Sequence, residues 1–324
     1  MPKNQRRILA VATAALVALA GGCAPGGASE TSADDAGTAS TAPDGSERPL
    51  VLTTFTVIAD MVREVAGDRV EVRSVTRPGA EIHGYEPTPG DLRQARGADL
   101  VFENGLGLEA WFAQFIADVD APAVTLSDGL DPVPIAGTSE ANPHAWMSPL
   151  AGQHYVKRIA DALTELDPAG AEHYAERAAA YSAELDVVAA DLAAAIDAVP
   201  PAERVLVSCE GAFSYLARDL GLDEAYLWPV NADQQATPRR VAAVIDTVRE
   251  REVPAVFCES TVSNEPMLQV VADTGSRYGG TLYVDSLSEE GGPVPSYLAL
   301  LRHAADTIAA GLTGTRPTEM GAAS

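Results

Sequence analysis

Positive charge is scarce in this 324-residue chain: 22 Lys and Arg stand against 46 Asp and Glu, a formal net charge of −24. A nucleic-acid partner calls for a basic stripe, so that class is excluded. The acidity reads first as a solvated, solubilising surface and second as a field that draws cations. Common catalytic signatures are missing as well. There is no His-Glu-x-x-His helix, no Gly-x-Ser-x-Gly elbow and no phosphate-cradling Gly-rich loop with lysine. No membrane segment follows residue 23. Cysteine is limited to Cys23, Cys209 and Cys258.

What is present begins with an export signal. Lys3, Arg6 and Arg7 precede an apolar stretch over residues 8–20, too short to span a bilayer comfortably and right for the core of a secretory signal. Cys23 follows Leu19-Ala20-Gly21-Gly22, which resembles the bacterial lipoprotein signal, although Ala20 stands where leucine is commoner. The resemblance implies removal of residues 1–22 and a diacylglyceryl group on Cys23, with two acyl chains giving stable anchoring. Residues 24–48 are Gly, Ser, Thr, Ala and Asp with almost no branched apolar side chain, so they cannot bury enough surface to offset their ordering entropy. Residues 23–48 are thus expected to form a lipidated tether with an end-to-end distance of about 28 Å. Residues 314–324 read as a frayed tail. In an exported chain the other two cysteines, Cys209 and Cys258, form the natural candidate for a disulfide.

The body reads as two similar halves. Apolar runs at 50–54, 70–75, 100–103 and 123–126 alternate with helical patterns near 58–65, 91–96 and 108–117. Runs at 205–208, 225–228, 255–258 and 281–284 alternate with helical patterns near 213–220, 237–251 and 264–274, and a last helix is expected at 296–311. This β-α order predicts α/β architecture: two lobes, 49–168 and 200–313, each with a mostly parallel four-stranded sheet flanked by helices. Thr237-Pro238 and Ser148-Pro149 each supply an N-cap and a first-turn proline. Between the lobes, residues 169–199 are rich in Ala, Glu and Leu at helical spacing and end at Pro200-Pro201, predicting one long rigid helix.

Four residues with metal-binding side chains, His83, His144, Glu210 and Asp285, lie 61, 66 and 75 positions apart, each near the point where a strand-like run or its loop gives way to a helix. Such spacing excludes a local metal finger and suits a cleft lined by loops from two lobes. Two imidazoles and two carboxylates fit a divalent first-row cation. Each residue also has an ordinary reading: His83 as a surface loop residue, His144 as a helix cap, Glu210 and Asp285 as capping or solvated acids. Glu259, at the end of another strand, is a candidate acceptor that orients a ligand imidazole. Tyr85, Trp228 and Asn231 are placed at the cleft by position alone. His154, His173 and His303 fall in helical stretches and are assigned to surface or packing.

The segments Glu81-Ile82-His83-Gly84-Tyr85-Glu86-Pro87-Thr88-Pro89-Gly90-Asp91, Asn142-Pro143-His144-Ala145-Trp146-Met147-Ser148-Pro149, Ser208-Cys209-Glu210-Gly211-Ala212-Phe213 and Tyr283-Val284-Asp285-Ser286 resemble the metal-binding segments of the cluster A-I solute-binding proteins. These are zinc and manganese receptors of bacterial ABC importers, two α/β lobes joined by a rigid helix. The resemblance covers the chain from Pro49 to about Leu312 and places the ligands on His83, His144, Glu210 and Asp285. It implies an extracytoplasmic receptor with a membrane ABC permease as partner; the Cys23 signal adds the lipid anchor, and a monomer is expected. Zinc members resembling this chain usually carry a third histidine where Glu210 stands, and many carry a His-rich acidic loop; this chain has neither. Two imidazoles and two potentially bidentate carboxylates offer up to about six donors, which suits Mn²⁺ better than the four-coordinate preference of Zn²⁺, with Fe²⁺ similar in ligand taste. Mn²⁺ is therefore the expected cargo, ahead of Zn²⁺ or Fe²⁺. Two other classes compete with this reading: a metal-dependent hydrolase, whose catalytic ion keeps an open position for water, and a surface adhesin, for which the sequence names no partner.

Overall fold

The computed structural model describes residues 48–110, 121–230 and 236–314. Cys23, nearly all of the tether, Asn231 and the tail beyond Gly314 lie outside the described residues; so does most of the helix expected at 108–117, of which residues 108–110 form a turn.

The first half builds β1 (Leu50–Thr53), α1 (Thr56–Ala66), β2 (Glu71–Ser74), α2 (Pro89–Ala95), β3 (Leu100–Glu103) and β4 (Ala123–Thr125). Its sheet has the order β2-β1-β3-β4, with every pair parallel. Helix α3 (Pro149–Leu166) follows, then the long α4 (Ala171–Asp197). The second half builds β5 (Val205–Glu210), α5 (Ser214–Leu220), β6 (Asp223–Trp228), α6 (Pro238–Glu250), β7 (Ala255–Glu259), α7 (Glu265–Thr274), β8 (Arg277–Leu282) and α8 (Tyr297–Thr313).

The expected caps form. Ser148 Oγ accepts from Ala151 N at the start of α3, and Thr237 Oγ1 accepts from Arg240 N at the start of α6. Helix α2 opens with a reciprocal capping box between Thr88 and Asp91, which satisfies two amide donors that helix geometry leaves without partners.

In the second half β5 pairs with β6 and β7 with β8, all parallel. Among the described residues no hydrogen-bonded ladder joins β5 to β7. The two strands are neighbours all the same: Cys209 and Cys258 form a disulfide across them with Cα atoms 4.8 Å apart. The four strands thus form two hydrogen-bonded pairs held side by side by a covalent link. The strand expected at 281–284 runs instead over Arg277–Leu282. Gly279 and Gly280 hide it from propensity, and packing requires the first of them: a Cβ on Gly279 would stand 2.3 Å from the ring of the buried Phe257.

Strand alternation sorts side chains between two faces. Val205, Val207, Cys209, Val256 and Cys258 enter an outer cluster with helix α6 residues Val241, Val244 and Val248. Leu206 and Phe257 turn the other way into the main core, which also takes Val51, Phe55 and Phe102 from the first half. Helix α4, 27 residues and about 40 Å long, packs against α1, α3 and α8 and buries Tyr174, Ala178, Tyr181, Leu185, Val188, Leu192 and Ile196 along one stripe. The halves therefore share one main apolar core, beside a smaller cluster that belongs to each half alone.

Candidate metal centre

His83 stands in the loop between β2 and α2. The Glu81 carboxylate accepts from the main-chain amides of His83 (2.7 Å) and Gly84 (3.1 Å), fixing the turn that carries the ring. His144 precedes a single 3₁₀ turn, Ala145–Met147, that leads into α3. Glu210 is the last residue of β5, and alternation after Cys209 turns it to the inner face. Asp285 lies three residues beyond β8.

The structure brings all four together. His83 Nε2 is 3.0 Å from His144 Nε2, 3.6 Å from Glu210 Oε1 and 3.8 Å from Asp285 Oδ1; His144 Nε2 is 3.9 Å from Glu210 Oε1 and 3.7 Å from Asp285 Oδ1. A cation with bonds of about 2.1 Å needs neighbouring donors about 3.0–3.4 Å apart, so these separations are close to an ion's first shell. The side chains are 6 % (His83), 0 % (His144), 1 % (Glu210) and 2 % (Asp285) exposed, leaving almost no water to serve the donors. Asp285 Oδ1 is buried with no hydrogen-bond partner among the described residues. An orphaned carboxylate oxygen beside two imidazole nitrogens is a costly arrangement that a cation relieves.

Electrostatics point the same way. Burial holds both imidazoles below their ordinary pKa, His144 at about 3, while for His83 the neighbouring ring adds to burial and Asp285 and Glu81 oppose it. Neutral imidazole is the form that binds metal, and the close His-carboxylate approaches are accordingly not ion pairs. Burial pushes Asp285 up, with His83 opposing. Burial thus leaves both rings neutral, with lone pairs to give, and makes the Asp285 carboxylate costly as an isolated charge, a cost that an added cation offsets.

The tautomer of His144 follows from its neighbours. Asn142 faces the Gly211 carbonyl at 2.6 Å, which can only accept, so Nδ2 must point there. Asn142 Oδ1 therefore faces the His144 main-chain amide (3.0 Å) and the ring Nδ1 (2.9 Å), and the ring proton sits on Nδ1. That leaves the Nε2 lone pair for the cluster.

Glu259 was expected to orient an imidazole. It lies beside the cluster, but its Oε2 accepts from the main-chain amide of Glu210 (3.1 Å); burial pushes its carboxyl up to about 8, and Oε1 has no partner among the described residues. The imidazole is oriented by Asn142, and the His83 loop by Glu81. Both stand inside the quoted motifs, and a polar residue two positions before a candidate ligand was the available signal. The disulfide pairs Cys209 with Cys258 as expected, on the sheet face opposite the cluster. Tyr85 donates to Asp91 Oδ2 (3.0 Å), and Trp228 packs in the outer cluster. His154, His173 and His303 each bond a main-chain carbonyl, of Asp128, Ala66 and Thr281. A groove of about 1240 Å³ lined by Asp60, Arg77, Glu81, Tyr85 and Ser288 adjoins the His83 loop, and none of the four cluster residues lines it.

Paired parallel-sheet lobes around a long helix, with a buried nitrogen and oxygen cluster drawn from both, define a two-lobed cation-binding protein. Residues 51–311 match the family described as ZnuA, zinc-uptake complex component A, periplasmic, and the chain belongs to that family. The chain is 48 % identical over 272 residues to the iron-binding protein YfeA of Yersinia pestis, covering 83 % of this chain and 88 % of the relative. It is 32 % identical over 282 residues to the manganese-binding lipoprotein MntA of Halalkalibacterium halodurans, covering 87 % and 93 %. The solved Mn-bound periplasmic metal binding protein from Candidatus Liberibacter asiaticus superposes with a TM-score of 0.78 at 36 % identity, covering 82 % of this chain and all of that one.

Proposed function

We propose that this protein is the extracytoplasmic, lipid-anchored receptor of an ABC importer, that it captures Mn²⁺ with His83, His144, Glu210 and Asp285, and that it passes the ion to a membrane permease as a monomer. The observation that carries the reading is the convergence of two neutral imidazoles and two carboxylates in a dry site with Asp285 Oδ1 unpartnered. Membership of a family of periplasmic uptake components and the lipoprotein relative support the receptor role, and Cys23 is the anchoring residue in this reading. Carriage rather than turnover fits a site whose donors all come from the chain.

Two carboxylates in place of a third histidine favour an ion that accepts more than four mostly oxygen donors, which selects Mn²⁺ over Zn²⁺. The resemblance to an iron-binding relative favours a second reading, Fe²⁺, which shares that ligand taste. Metal analysis of protein purified from its own host without chelator or added salts distinguishes them. Calorimetry at matched pH and salt tests the site: alanine at any of the four positions in folded protein should weaken Mn²⁺ binding by about tenfold or more. Wild-type affinity and stoichiometry in all four variants would remove these residues from the site.

A further inference from the structure

We infer that Asn142 and Trp146, two residues on either side of His144, are positioning residues that staple both carboxylate-bearing segments of the second half to the imidazole loop of the first. The inference rests on the metal-site reading above and concerns what holds that site in shape. Asn142 is 1 % exposed, and its side chain is fully engaged. Besides receiving the two His144 donors, it donates through Nδ2 to Gly211 O (2.6 Å) and to Ser214 Oγ (3.1 Å). Gly211 directly follows Glu210. Trp146 is completely buried, and its Nε1 donates to Val284 O (3.0 Å), the carbonyl directly before Asp285. One five-residue loop thus reaches the main chain one residue after one carboxylate and one residue before the other.

The anchor points are themselves braced. Gly211 N donates to Trp228 O and Pro229 O, and a Cβ on Gly211 would stand 2.4 Å from Pro229 O, so glycine is needed for that close approach. The carbonyl of Asn142 accepts from Tyr215 OH (2.8 Å), and that of Trp146 from Tyr297 OH (2.5 Å). The Trp146 ring packs 5.1 Å from His144 and 4.9 Å from Phe55, centroid to centroid. Neither staple is one of the four donors.

The consequence is kinetic. The protein holds the two imidazole nitrogens 3.0 Å apart and each of them within 3.9 Å of both carboxylates by its own bonds, so capture needs little rearrangement. Release requires the carboxylates to move away from the imidazoles, which breaks the Asn142 and Trp146 bonds. The staples should therefore govern dissociation far more than association.

The test uses Mn²⁺ and the folded full-length body. Trp146→Phe removes the indole donor and keeps a ring; Asn142→Leu removes both functions of the amide; Asn142→Asp keeps the acceptor for His144 and loses the donor to Gly211. Stopped-flow release into excess chelator should be faster by about tenfold or more in Trp146→Phe and Asn142→Leu, with association within about threefold of wild type. Asn142→Asp should fall between, because it keeps one of the two ties. Independently, ring ¹⁵N spectra of the metal-free wild type should show His144 protonated on Nδ1. A dominant Nε2–H form would overturn the role of Asn142 without recourse to any variant. Release rates within about twofold of wild type in either folded variant would overturn that residue's part in the staple. A wild type that takes up no Mn²⁺ would overturn the functional reading and this inference with it, whereas a wild type that binds while the variants release normally overturns this inference alone.

Discussion

In the proposed metal site, the side chain at position 210 is the one expected to set which ion the cluster prefers. Glutamate supplies one or two oxygens at the end of β5, on the inner face that strand alternation assigns to it. Histidine there would supply one nitrogen and complete three imidazoles with one carboxylate, a set suited to four-coordinate zinc. Glu210→His is expected to raise the ratio of Zn²⁺ to Mn²⁺ affinity by on the order of tenfold or more, read by competition calorimetry. An unchanged or lower ratio would show that oxygen count at this position does not set the preference. All four cluster residues were legible in the sequence because each sits in a compact motif. The role of Asn142 was not, because its second partner, Gly211, is 69 residues away.

At the scale of elements, α1 and α8 meet through Asp60, whose Oδ2 accepts from the Tyr297 amide (2.7 Å) in the first turn of α8. Burial pushes this carboxyl up to about 6, the Tyr297 bond opposes the shift and the charge of Glu64 adds to it. With the folded pKa above the unfolded 3.8, the folded state holds the proton more tightly. The stabilising contribution is complete below pH 3.8 and is lost as pH rises through about 6. Asp60→Asn keeps an acceptor for Tyr297 and removes the titration. Relative to wild type it should gain about 1–3 kcal/mol between pH 4 and pH 7 in urea unfolding; a difference that does not change with pH would refute this.

The junction of β5 and β7 is another element-level device. With no ladder joining them among the described residues, the Cys209–Cys258 bond, which closes a loop with a sequence separation of 49, holds their spacing together with the Glu210 N to Glu259 Oε2 bond and shared packing. Reduction should cost about 2–4 kcal/mol of stability and weaken Mn²⁺ binding through the backbone that carries Glu210. Urea unfolding and calorimetry with and without a phosphine reductant measure both effects. Equal stability in the two states would mean the strands hold their spacing unaided.

For the whole molecule, the main core runs from Val51 in β1 to Leu312 in α8 and takes in one stripe of α4. Halves that share a core should unfold together. Fluorescence from Trp146 in the main core and Trp228 in the outer cluster should therefore report the same thermal midpoint as far-ultraviolet circular dichroism. Mn²⁺ at about a hundred times its Kd should raise that midpoint by about 5–10 °C. Two separated transitions would show that the lobes are independent after all. A shared core with a 27-residue helix through it also favours small local movements at the site over a wide hinge opening.

The sequence by itself determined the β-α order, the long helix stopped by Pro200-Pro201, the proline-led caps of α3 and α6 and the four candidate ligands, because each is written in local periodicity or a short motif. It also pointed to the cysteine pair, through export and the small number of cysteines. Tertiary structure alone decided the rest. The ladder pairing of the second half, the strand through Gly279 and Gly280, the disulfide's place on the far face and the partners of Asn142, Trp146 and Glu259 all depend on groups from distant segments. Main-chain carbonyls such as Gly211 O and Val284 O have no side-chain signature, and which of them a buried donor reaches is settled only when the elements pack.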